Sequence, residues 1–139
     1  MRKAEWTSED GRFHIIFKVY ATKRGVNAEY NRLHPEKIGK DTCGFGSVFH
    51  SVDFTEGNEV EKVICFISIW QKFCTPGIVA HEAEHVAQAL TDLFPVEGVD
   101  RWELACQYLD TIVDLFWPWL EKHGLLVKRS NNWHQGLMW

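Results

Sequence analysis

After Trp70 the hydrophobic pattern of this chain changes period, and that change constrains the fold more than any single residue does. Before it, apolar residues alternate. In "RFHIIFKVYA" (12–21), Phe13, Ile15, Phe17 and Val19 fall on one side of a stretch rich in β-formers, the period-two signature of a strand. "FGSVFHSVDF" (45–54) and "VEKVICFISIW" (60–70) read the same way, with turn chemistry in "TEGNE" (55–59) between them. So short a connection predicts an antiparallel hairpin. Beyond Trp70, "CTPG" (74–77) offers Thr75 as an N-cap and Pro76 as a first-turn residue, which together open a helix. From 78 to 94, Val79, Ala83, Val86, Leu90 and Leu93 recur at helical spacing.

A loop at 95–100 leads to a second helix over 101–117, with Ala105, Leu109, Ile112, Val113 and Phe116 on its inward face. Pro118 is expected to stop it. Strands followed by helices predict an α+β domain: an N-terminal antiparallel sheet of about three strands within 12–70, packed on two helices. In the polar stretch 22–44, "NAEYNRLH" has room for a helical turn or two. The remainder, 118–139, reads as an aromatic C-terminal tail, broken by Gly124 and "RSNNW".

The 139 residues carry no internal repeat or linker, so a single domain over 1–139 is expected. A net charge of -4 gives no general attraction to phosphate, and nucleic acid is not an expected partner. Cys43, Cys65, Cys74 and Cys106 form no C-x-x-C pair, which excludes a cysteine-only zinc ribbon. "MRKAEWTSED" lacks the apolar core of a signal peptide, and the longest apolar run, "VICFI", is too short to span a bilayer. The expectation is a cytoplasmic protein with reduced thiols and no membrane partner.

The chemistry-bearing stretch is "TPGIVAHEAEHVAQAL" (75–90), in which His81, Glu82 and His85 make H-E-x-x-H. On a helix, positions i and i+4 share one face, so both imidazoles can reach a single ion. Tetrahedral zinc, with bonds of about 2 Å to nitrogen, needs such convergence. Glu82 is rotated about 100° from His81, close to the metal without being forced to ligate it, where a general base belongs. The plainer reading is a solvated helix face, since Glu84 and Gln88 share the histidine side.

Zinc needs a third protein ligand. Downstream stand Glu97, Asp100, Glu103, His123 and His134. Glu103 is the choice: it sits on the next helix, eighteen positions after His85, a gap that lets the chain turn and pack back. The same carboxylate could instead complete a capping box, because Asp100-Arg-Trp-Glu103 has that pattern. Asp110 or Asp114 could accept a hydrogen bond from a ligand imidazole. Cys106, one turn from Glu103, reads as a buried small hydrophobe.

H-E-x-x-H followed by a glutamate on the next helix resembles the gluzincin branch of zinc metallopeptidases. The fuller set, "VICFISIW", "TPGIVAHEAEHVAQAL" and "WELACQYL", is similar to very small single-domain metallopeptidases common in bacteriophages, over roughly residues 60–115. The resemblance implies a minimal zincin-like α+β core, zinc ligands at His81, His85 and Glu103, and a catalytic base at Glu82. It also implies a peptide or protein substrate, held in extended form by one strand of the sheet. Trp102 and Gln107 stand where the larger gluzincins often have asparagine and aspartate around the ligand glutamate. For oxyanion stabilisation only Tyr108, His123 and His134 suggest themselves. The expected function is a zinc-dependent peptidase; the alternative is a zincin-like binding or regulatory module with zinc but little or no peptidase activity, its tryptophans (Trp117, Trp119, Trp133, Trp139) anchoring an interface.

Overall fold

The computed structural model describes residues 1–37, 39 and 41–127. Strands β1 (Arg2–Thr7) and β2 (Phe13–Tyr20) precede helix α1 (Lys23–Leu33); β3 (Gly44–Thr55) and β4 (Asn58–Trp70) precede helices α2 (Pro76–Leu93) and α3 (Arg101–Lys122). The protein is α+β. The β3–β4 hairpin pairs antiparallel from Gly44↔Ile69 out to Thr55↔Asn58. Its loop is two residues, Glu56 and Gly57, with φ of 53° and 80°. Two positive φ values are what a tight hairpin turn needs to match the strand twist.

Two sheet expectations are corrected. There are four strands, in the order β1-β2-β4-β3, not three. The extra one is β1, "RKAEWT", whose charged residues hide its alternation; short, charged strands are common at sheet edges because they discourage further pairing. The sheet is also mixed, since β2 runs parallel to β4, from Phe13↔Val63 to Tyr20↔Trp70. A parallel neighbour requires a long crossover. The stretch between β2 and β3, with α1 in it, carries the chain across to the far edge, and β4 returns beside β2.

The sheet divides two cores. Ile15, Phe17 and Val19 of β2 and Val63, Cys65, Ile67 and Ile69 of β4 face α2 and α3, meeting Val79, Ala83, Val86, Leu90, Ile112, Phe116 and Leu120. On the opposite face Val26 and Tyr30 of α1 pack on Phe45, with Phe66 and Trp70 beside them. Helix α1 is therefore a full element, longer than the turn or two expected.

Helix α3 runs through Pro118 to Lys122, past the expected stop. Proline removes one helical hydrogen bond, here to the carbonyl of Asp114. Both Pro118 and Asp114 lie on the exposed face, where water can serve that carbonyl. Phe116 and Leu120, 3% and 0% exposed, hold the helix to the core on either side of the proline. The tertiary contact outweighs the local breaker. Trp119 packs its ring 5.9 Å from Phe17, so it belongs to the core; Trp133 and Trp139 lie outside the described residues.

Candidate metal centre

Helix α2 starts where its sequence says it should. Thr75 Oγ1 accepts a hydrogen bond from the Ile78 N–H at 3.3 Å, with Pro76 in the first turn. Its buried stripe is Val79, Glu82, Ala83, Val86, Ala87 and Leu90. Glu82 thus lies on the sheet side of the helix, while His81 and His85 sit on the flank towards solvent.

That placement requires the helix to come very close to edge strand β3. Gly44 and Gly46 are two apart and so share one face of β3. A Cβ on Gly46 would lie 2.3 Å from the Glu82 backbone carbonyl oxygen, and one on Gly44 would lie 3.1 Å from Glu82 Oε2. Both glycines are part of the site, and the sequence reading did not single them out. The available signal was "GFG" at 44–46, since glycine inside a strand often marks close backbone approach.

The imidazoles converge. His81 Nε2 and His85 Nε2 are 3.2 Å apart, with ring planes at 88°. Glu82 Oε1 lies 3.7 Å from the first and 3.9 Å from the second. The two histidine side chains are 62% and 55% exposed, while that of Glu82 is only 6% exposed. Two zinc–nitrogen bonds at a tetrahedral angle would separate their nitrogens by about 3.3 Å. The observed spacing fits one shared cation, and it equally fits one shared proton. His34 makes a useful contrast, because its Nδ1 sits 3.2 Å from the Tyr30 carbonyl oxygen and its Nε2 sits 3.1 Å from Ser47 Oγ. That ring is clipped between α1 and β3, whereas His81 and His85 turn their nitrogens towards each other and the solvent.

Among the described residues, one group of three or more potential ligands converges within 4.8 Å: His81, Glu82 and His85. Glu103 is not a member. It lies exposed in the first turn of α3. There Asp100 Oδ1 caps the helix, accepting from the N–H groups of Trp102 and Glu103 at 2.8 and 3.3 Å. Arg101, the first residue of α3, forms an exposed ion pair with Asp92 near the end of α2.

The remaining candidates are scattered. Asp110 and Asp114 are exposed on α3. Cys106 is exposed rather than buried, because α3 turns Leu104 inward instead. Tyr108 directs its hydroxyl to the Phe94 carbonyl at 3.4 Å, and burial raises its pKa above the ordinary tyrosine value. His123 caps the far end of α3, and His134 lies outside the described residues. Comparison with protein-family models, with characterised proteins and with solved structures finds no match.

Proposed function

We propose that this chain is a zinc-dependent hydrolase of peptide bonds, with His81 and His85 as metal ligands and Glu82 as the base. One observation carries the reading: two imidazole nitrogens 3.2 Å apart, with a buried carboxylate oxygen within 3.9 Å of both. When bound, zinc supplies Lewis acidity towards a carbonyl and acidifies water towards a pKa of about 7. Glu82, packed against β3 and shielded from solvent, takes the proton of the attacking water and returns it to the leaving amine. β3 is an edge strand running alongside α2, so an extended peptide can add to it through backbone hydrogen bonds. Burial pushes the Cys65 and Cys74 thiols up to about 12 and about 11, so neither serves as a nucleophile.

Metal analysis of protein purified without added zinc should give close to one equivalent. Glu82→Gln should keep that metal and lose peptide cleavage by about a thousandfold. Absence of metal from the wild type overturns the proposal. The third ligand is tested by Glu103→Ala, which should weaken zinc retention if the carboxylate closes onto the site; unchanged affinity assigns that ligand elsewhere. A second reading, a zinc-carrying binding module without hydrolysis, is favoured by the position of Glu103 outside the converging group. It prevails if the zinc-loaded wild type cleaves nothing across a broad peptide library.

A further inference from the structure

The β3–β4 hairpin is longer than the sheet behind it. β2 pairs with β4 only from Val63 onward, and β3 is exposed from His50 to Thr55, so the hairpin projects as a two-stranded arm. Even-numbered residues of β3 face the α2 layer, as Gly44 and Gly46 do, and His50, Val52 and Phe54 continue that face. The His50 ring lies 5.7 Å from that of Phe94, the C-cap of α2. The arm therefore overhangs the end of α2 and the connection to α3.

This end is both apolar and acidic. Val52 (46%), Phe54 (75%), Leu93 (39%), Val96 (48%), Val99 (36%) and Trp102 (72%) are six of the eight large apolar side chains that stand exposed among the described residues. Between the helices lies a cleft of about 190 Å³ lined by Pro95, Val96, Val99 and Leu104, with the Asp92–Arg101 pair at its edge. The segments 50–62 and 92–103 together hold eight of the chain's 19 carboxylates and only two of its 15 lysines and arginines. The negative charge is concentrated here, and the rest of the chain is slightly basic.

We infer that this end is a docking surface for a cationic, amphipathic polypeptide segment, whose apolar side chains cover Phe54, Trp102 and the cleft while its lysines or arginines meet the carboxylate rim. Exposed aromatic residues are the usual anchors of such contacts, and opposite charge guides the encounter. A second copy of this chain would bring like charge against like charge, and an anionic bilayer would be repelled. The inference stands independently of the metal.

The test uses the whole protein and two synthetic amphipathic peptides, one of lysine and leucine and one of glutamate and leucine, with binding read by anisotropy of a labelled peptide. The cationic peptide should bind and the acidic one should not. Raising salt from about 0.05 to about 0.5 M should weaken binding strongly. Phe54→Ser with Trp102→Ser should lower affinity roughly tenfold while circular dichroism stays that of the wild type. Glu56→Gln with Glu59→Gln and Glu97→Gln should lower it and flatten the salt response. Equal binding of both peptides, no binding of the cationic one, or indifference to Phe54→Ser with Trp102→Ser overturns the inference. So does sedimentation showing a dimer that those substitutions dissolve.

Discussion

Two nearly buried glutamates sit on opposite faces of the same sheet, Glu29 at 8% exposure and Glu82 at 5%, and their partners differ in kind. Glu29 is held by permanent cations: Lys18 Nζ donates to Oε1 at 2.7 Å, and Arg32 donates to Oε2 at 3.1 Å. Burial pushes its carboxyl up, but those hydrogen bonds outweigh burial and leave it below the ordinary 4.5. Burial, and after it the same carboxylate, pushes the nearby Tyr20 hydroxyl up to about 12. Glu82 instead faces two imidazoles at 3.7 and 3.9 Å, whose charge depends on a proton or a metal. A buried carboxylate locked by lysine and arginine serves structure. One set beside two solvent-facing imidazoles is where the proposed function puts its base.

The contrast can be broken most forcefully at Glu29. Glu29→Ala should cost about 4 kcal/mol in chemical denaturation, because Lys18 loses its buried counter-charge; a loss under about 1 kcal/mol would mean that solvent already satisfies the lysine. Next comes the packing behind Glu82. Gly46→Ala forces a Cβ towards the helix backbone at 2.3 Å and should cost about 2 to 3 kcal/mol, with metal uptake impaired if Glu82 and the histidines shift together.

Acid sharpens the comparison further. A carboxyl lowered by folding stabilises the protein above its unfolded value and loses that contribution as pH falls through the folded one. Stability should therefore decline from about pH 4.5 downward, and Glu29→Gln should flatten that decline in a pH series of melting temperatures. The smallest effect belongs to the exposed imidazoles proposed as ligands. His81→Ala should change the stability of metal-free protein by no more than about 0.5 kcal/mol, while zinc uptake measured by metal analysis falls to near zero. A large loss of stability without metal would recast the imidazole pair as a structural contact.

Much of the site was legible in one dimension because helix geometry converts spacing into position. A spacing of four positions between two histidines put them on one flank, and the cap at Thr75 fixed where that helix began. The strand patterns of β2, β3 and β4 were equally plain, since alternation survives wherever one face is buried. β1 shows no alternation in sequence because half of its residues are charged and nearly all of them face solvent. The proline at 118 misled because a local breaker was weighed without the two buried side chains that hold the helix on either side of it.

Local sequence thus determined the elements, the hairpin turn and the facing of His81 and His85, all of which depend on contacts within a few residues. Only the tertiary structure decided that β4 slots in parallel to β2, that Gly44 and Gly46 bring β3 against Glu82, and that Glu103 is not part of the His81–Glu82–His85 group. Those relations depend on how far each helix runs before the chain turns and on which surfaces then touch. No spacing along the chain encodes either quantity.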